Sequence, residues 1–396
     1  MRHILLSEGT TAFGDGLWFS MWAIYLTSVQ GVPTGSMGLA MGLGGGIGLL
    51  VALPVGTLTD RLGAREVFLA LTLLRAAFSL MFLAVHSFWP LFIAAALFTS
   101  TGTAAKGTKV TLIYHLLSEQ HCMPVLAQAR VVQHVLYAAG AGAAAWVLSN
   151  SDPAPYHLAV VVNSLTFIVS AAVLRHLPHI PPTPAKRLRA NTEALRNLPF
   201  LMIMSSTAVL ALCWAILSSG LPLWLQHGTA VPVWIAPLAV LASSLLIALF
   251  QVRVSRKGQR LSGAVRSSWL SSLTLAACCL AFAAASWPKD PRLATAIILG
   301  GLALHVTSEL YYVAARWGLS IKLMADGAQG QYQAVAASTE GAVTALGPAL
   351  VVTLITDAQA AGWIVLAFLF LICSLPVVPL CRLALRRRSA VRVETH

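Results

Sequence analysis

Long apolar runs separated by short polar breaks set the pattern of this chain. A helix needs about 20 mainly apolar residues to cross the hydrocarbon core of a bilayer, and twelve stretches of that kind can be drawn. The first six cover residues 8–29, 36–56, 66–85, 89–112, 124–149 and 155–177. The second six cover 199–226, 232–252, 263–286, 292–315, 331–355 and 361–383. Apolar residues run continuously through them instead of alternating, which excludes the strands of a membrane barrel. The prediction is an all-α membrane protein with twelve transmembrane helices. The longest break holds Pro178, Pro181, Pro182 and Pro184, then Lys186, Arg187, Arg189 and Arg196. Proline ends the sixth helix, and the basic run cannot lie in lipid. This divides the chain into an N-terminal half (1–177), a cytoplasmic linker (178–198), a C-terminal half (199–385) and a basic tail (386–396).

Composition narrows the class further. Of 396 residues 58% are hydrophobic and 10% charged, and the mean hydropathy is +0.78. About 25% is the usual charged share of a soluble domain, so too little polar surface is present to coat a water-soluble fold. A soluble enzyme, a disordered regulator and a secreted disulfide scaffold are excluded. The six cysteines fall in predicted helices or on the cytoplasmic side, with no CxxC. Arg2 is followed by Glu8 and Asp15 with no cleavage signal, so the first stretch reads as a retained helix.

The net charge of +13 would suggest nucleic acid in a soluble protein. The position of the charges changes that picture. With both termini inside, the inner loops carry Arg61, Arg65, Arg175, the linker cluster, Arg253, Arg256, Lys257, Arg260, Arg266, Arg316 and Lys322. The tail adds Arg382, Arg386, Arg387, Arg388 and Arg392, while the outer loops hold only Lys289 and Arg292. Such asymmetry marks the cytoplasmic side. The expectation is a multi-pass protein of the plasma membrane with both termini cytoplasmic, the lipid bilayer as its surroundings and no nucleic-acid partner.

An internal repeat supports the division into halves. Asp60-Arg61-Leu62-Gly63-Ala64-Arg65 lies between spans two and three, and Ser255-Arg256-Lys257-Gly258-Gln259-Arg260 between spans eight and nine. Arg, Gly and Arg recur at one offset, with 195 residues from Arg61 to Arg256. The longer run Gly56-Thr57-Leu58-Thr59-Asp60-Arg61-Leu62-Gly63-Ala64-Arg65 resembles the signature loop of the major facilitator superfamily. It agrees at Gly56, Leu58, Asp60, Arg61, Gly63 and Arg65 and departs at Ala64, where the family usually has a basic residue. Residue types fit the place: the glycines permit tight turns and close helix approach, Asp60 suits the positive N-terminus of a helix, and Arg61 and Arg65 suit the anionic inner leaflet. The resemblance covers essentially the whole chain. It implies two pseudo-symmetric six-helix halves, a substrate site between them, and a loop that latches the cytoplasmic gate.

Charge inside a span costs about 2.5–3.5 kcal/mol even on the lenient insertion scale. Six residues stand out for this reason: Asp15, Arg75, Lys106, Arg130, Glu309 and Glu340. Trp18 and Trp22 follow Asp15 at i+3 and i+7 on one face, so the trio suits a cationic or aromatic ligand, or else a structural acid beside packing tryptophans. Glu309 has His305 at i−4, Tyr312 at i+3 and Arg316 at i+7; it suits proton relay or simple pairing with Arg316. Glu340 is a further acid, paired with Arg130 or supporting the latch near Asp60. Arg130 shares a face of span five with His134. Lys106 is deep enough to bind an anion, and Lys109 is expected to snorkel to the headgroups.

His115, Glu119, His121 and Cys122 match no standard metal spacing, and HExxH, GxSxG and P-loop patterns are absent. No metal, no cofactor and no enzymatic chemistry are expected. The resemblance implies a secondary active transporter, working as a single chain by alternating access, with protons as coupling ion and a small-molecule substrate. The likeness to bacterial drug and metabolite exporters suggests antiport of an amphiphilic molecule. The stretch Gly140-Ala141-Gly142 departs from the Gly-Pro antiporter motif of span five, which leaves two alternatives open: uptake of a small nutrient or anion by proton symport, and a non-transporting receptor or assembly factor on the same fold.

Overall fold

The computed structural model describes residues 2–117, 119–149, 152–180, 193–229, 231–232, 235–325 and 327–384. The centre of the predicted linker and the basic tail lie outside these residues. Among the described residues every regular element is helical. The first half forms α1 (Arg2–Ile24), α2 (Thr34–Leu62), α3 (Ala64–Met81), α4 (Phe88–Leu116), α5 (Glu119–Leu148) and α6 (Ala154–Leu174). A single turn, α7 (Glu193–Arg196), leads into the second half. The predicted seventh span is broken into α8 (Leu198–Ala208), α9 (Leu212–Ala215) and α10 (Leu221–His227). It is followed by α11 (Ile235–Ser255), α12 (Leu261–Ala284), α13 (Pro291–Leu323) and α14 (Gln329–Ser374).

Local sequence accounts for several of these ends. Asn197 accepts a hydrogen bond from the Phe200 amide at the start of α8. Asp290 does the same for the Arg292 amide at 2.9 Å ahead of Pro291, which needs no donor in the first helical turn. Gly63 ends α2 with φ of 96°, a backbone region that side chains with a Cβ avoid. Inside α14, Gln359 has φ of 50° and breaks the helix between the two segments expected at 331–355 and 361–383.

Ten stretches of the described residues are long and apolar enough to cross a membrane. The run from Gln329 to Ala384 counts once, and α1 is not among the ten. The reason for α1 lies in its sequence: Ser7, Glu8, Thr10, Thr11 and Asp15 place a polar stripe on a helix that is otherwise apolar. Among the described residues, π-helical turns occur at Tyr25–Val29, directly after α1, and at Ile216–Gly220, between α9 and α10.

The chain forms two compact units, Met1–Glu193 with Ala325–Ser338, and Ala194–Met324 with Thr339–His396. In the first, α1 packs on α5 and α6, α2 on α4, and α3 on α4 and α6. The α1–α5 approach is close because a Cβ on Gly16 would lie 2.1 Å from the Tyr137 carbonyl oxygen, so only glycine fits. An aromatic core of this unit buries Trp18, Tyr25, Phe82, Phe98 and Phe167. In the second unit α12 and α13 form the main pair, and its core gathers Trp224, Phe282, Trp363 and Phe370.

Candidate functional site

The polar stripe of α1 is the starting point of a cavity of about 290 Å³ inside the first unit. Glu8, Thr11, Ala12, Asp15 and Phe19 line it from α1, at the spacing that puts residues on one helical face. Phe68, Thr72 and Arg75 line it from α3 at the same spacing. From α4 come Phe98, Thr99, Gly102, Thr103, Ala105, Lys106 and Lys109. Gln133 and Tyr137 of α5 and Phe167 and Ser170 of α6 complete the wall.

Two ion pairs organise the charges. Arg75 donates to both Asp15 oxygens, at 3.0 and 3.3 Å. Its guanidinium carbon lies 4.7 Å from the ring centres of both Phe98 and Phe167, a geometry in which the ring faces attract the cation. The Arg75 Nε is buried without an acceptor. Lys109 donates to both Glu8 oxygens, at 2.8 and 2.9 Å. This corrects the expectation that Lys109 reaches the headgroups: a buried carboxylate on α1 offers it a nearer partner. Lys106 lies one helical turn away on the same face of α4 and forms no hydrogen bond or ion pair among the described residues.

Asp15, Arg75 and Lys106 are therefore brought together, as their cost inside a span suggests. Trp18 and Trp22 are not part of this wall. Trp18 is 1% exposed, packed against Tyr25 and Phe82, and Trp22 packs on the same core. In the first unit both tryptophans pack into the helix bundle instead. Arg130 and His134, both half-buried on α5, are likewise outside the cavity wall. Glu8 is the member that the sequence reading passed over. Its signal was legible as the i, i+3, i+7 recurrence of Glu8, Thr11 and Asp15.

The second unit arranges its charges differently. Arg316, 4% exposed, donates to the Met204 carbonyl oxygen, to Thr207 Oγ1 at 3.0 Å and to Thr339 Oγ1 at 2.7 Å. Its Nε lies 3.5 Å from Glu340 Oε2, which also accepts from the Tyr312 hydroxyl at 2.6 Å. These partners, all within its own unit, replace the alternatives the sequence offered for Glu340. Glu309 accepts from Trp214 Nε1 at 2.9 Å. His305 is fully buried, and its Nε2 donates to the Cys213 carbonyl oxygen at 2.8 Å. Its Nδ1 has no partner, so neither ring nitrogen bonds Glu309.

The signature loop docks on the start of α14, which groups with the first unit. Asp60, 2% exposed, accepts from the Gly330 amide at 2.7 Å and from the Gln331 amide at 3.2 Å. These are amides of the first helical turn, which have no partner within the helix and sit at its positive end. Gly56 faces the same turn, where a Cβ would lie 2.6 Å from the Gly330 carbonyl oxygen. Leu58 and Arg61 are exposed. Arg65 donates to Glu66 at 2.9 Å and to the Arg175 carbonyl oxygen at 2.6 Å, just past the end of α6. That contact corrects the leaflet role expected for Arg65: a helix C-terminus with unpaired carbonyls lies within its reach. Among the described residues no cluster of side chains suited to a metal ion occurs.

A helical membrane protein with a charged cavity and this docked loop defines the class, and comparison with known proteins agrees. The sequence model of the Major Facilitator Superfamily matches residues 4–348. The chain belongs to that superfamily, whose members are transporters and not enzymes. Solved structures share the fold at low identity. A bacterial homologue of the iron transporter ferroportin, in an outward-facing state, aligns with a TM-score of 0.71 at 16% identity, covering 96% of this chain and 98% of that one. The proton:xylose symporter XylE aligns with a TM-score of 0.71 at 11% identity, covering 94% of each chain. The human organic anion transporter TETRAN aligns with a TM-score of 0.66 at 15% identity, covering 95% of this chain and 98% of that one. No curated protein sequence matches the chain.

Proposed function

We propose that this protein is a proton-coupled secondary active transporter of small amphiphilic molecules, working by alternating access, with its substrate held in the cavity of the first unit. The observation that carries this reading is the Asp15–Arg75 pair at 3.0 Å on the wall of a cavity that mixes charged and hydroxyl side chains with aromatic rings. A proton on Asp15 removes the charge that holds Arg75 and frees a guanidinium for substrate. Twelve crossings fit this function: the ten apolar stretches, α1 with its polar stripe turned to the cavity, and a division of the last stretch at Gln359. An even number of crossings and the basic loops, read as inward, support cytoplasmic termini, and the plasma membrane is the proposed site. Asp60 on the start of α14 is read as the cytoplasmic latch, and Glu309 and Glu340 as secondary candidates for proton movement.

Direction follows from the sign of coupling. A substrate that competes with protons for Asp15 is exported, and one that binds together with them is taken up. Export was the expectation from resemblance. The excess of Arg75, Lys106 and Lys109 over Glu8 and Asp15 favours the second reading, since each proton bound strengthens the pull on an anion. Flux in proteoliposomes under an imposed pH gradient tests both. Accumulation driven by an acidic outside supports uptake, accumulation driven in the opposite sense supports export, and an absence of flux for folded protein across a broad panel leaves a receptor or assembly role.

A further inference from the structure

We infer that the cavity selects a small amphiphilic monoanion, a carboxylate or sulfonate carried on a ring, with Lys106 as the anchor for its charge. This inference rests on the cavity being the substrate site and goes beyond it by naming what the site takes. Two of the three cations that line the cavity are matched by acids at 2.8–3.0 Å, and Lys106 is not. Lys106 is exposed where it lines the cavity and interacts with Asp15 only through space, without a hydrogen bond, so its three donors, with no acceptor of their own, are open to an anion. Arg75 adds a second donor direction through its unpartnered Nε.

The shape of the site restricts the rest of the molecule. Phe68, Phe98, Phe167 and Tyr137 offer ring surfaces. A volume of about 290 Å³ sits at the low end of ligand pockets, about 300–1,000 Å³, which suits one or two fused rings. A cationic solute meets Lys106 and Lys109 and has to displace Arg75 from Asp15. A neutral solute leaves Lys106 unmatched. The titratable and charged groups facing the cavity are Glu8 and Asp15 from α1, Arg75 from α3, Lys106 and Lys109 from α4 and Tyr137 from α5, and α6 contributes none. Of these, Asp15 is the group whose protonation releases a further cation toward the ligand. Anion and proton therefore bind with mutual support.

Calorimetric titration of the purified full chain with 2-naphthoate, 2-naphthamide and 2-naphthylmethylammonium tests the inference, because the ring is constant and the charge varies. The expected order is the carboxylate first, with the amide and the amine about tenfold or more weaker. Lys106→Gln weakens the carboxylate by about ten- to hundredfold, the range of a charge-assisted hydrogen bond, and leaves the amide unchanged. Lys106→Arg restores carboxylate binding, which a merely structural role for Lys106 does not predict. Equal affinity for the three probes, preference for the amine, no measurable binding of the carboxylate, or an unchanged Lys106→Gln variant overturns the proposal. Carboxylate binding that depends on Lys106 without gradient-driven flux keeps the anion site and overturns the transport reading. Flux indifferent to solute charge does the reverse.

Discussion

Each unit holds an arginine against a carboxylate among apolar helices, and the two arginines are held to different degrees. Arg316 distributes its guanidinium over Met204, Thr207, Thr339 and Glu340, and the Tyr312 hydroxyl donates to the same Glu340 oxygen that faces Arg316 Nε. Arg75 has one carboxylate and two ring faces, and its Nε is left over. A guanidinium presents five donors in a fixed fork. Arg316 is fixed by several partners at once and serves packing. Arg75 depends on one titratable partner beside an open cavity and can exchange it. A buried ion pair is thus a structural strut or an exchangeable contact according to how many acceptors share it.

The largest effect that would break this comparison belongs to Arg316. Replacing it with Met leaves Glu340 without its cation and should cost about 3–5 kcal/mol, the usual loss when one partner of a buried pair is removed. Thermal unfolding followed by a thiol-reactive dye at the buried free cysteines, such as Cys213, Cys278 and Cys279, should show a large fall in Tm. Arg75→Met comes next: a loss of about 1–3 kcal/mol is expected, as for an unpaired polar group near a wet cavity, together with complete loss of gradient-driven flux. A Tm loss at Arg75 that equals the one at Arg316 would erase the distinction between the two sites.

Asp60→Asn keeps one acceptor for the Gly330 and Gln331 amides and removes the charge. About 1–2 kcal/mol of helix-end stabilisation should be lost, and transport slowed with substrate affinity preserved, as read from a lower maximal rate at unchanged half-saturation. Lys109→Met leaves the buried Glu8 carboxylate without its cation. The Lys109 side chain is 21% exposed at the cavity, so a loss of about 1–2 kcal/mol is expected, as for a charged group left unpaired beside water.

Much of the fold was legible because apolar runs and prolines are local signals. Even the break of α14 near Gln359 follows from the polar run around Asp357. The site was legible in part. Cost inside a membrane picks out Asp15, Arg75 and Lys106 without any geometry, and three of the six embedded charges meet in one cavity. Pairing was not legible. Nothing local says that Lys109 turns to Glu8, a residue 101 positions away, or that Arg65 reaches the carbonyl of Arg175. The tryptophans after Asp15 show the same gap: a shared helical face narrows the options, and only the neighbouring helices decide which side of that face meets the cavity.

The most direct test of the central claim is proton-driven flux through reconstituted Asp15→Asn beside the wild type. Asparagine keeps the size of the side chain and cannot take up the charge that holds Arg75. The account predicts that the variant folds, binds solute with little dependence on pH and no longer accumulates it against a gradient. Full gradient-driven accumulation by Asp15→Asn would contradict the exchange of Arg75 between Asp15 and substrate.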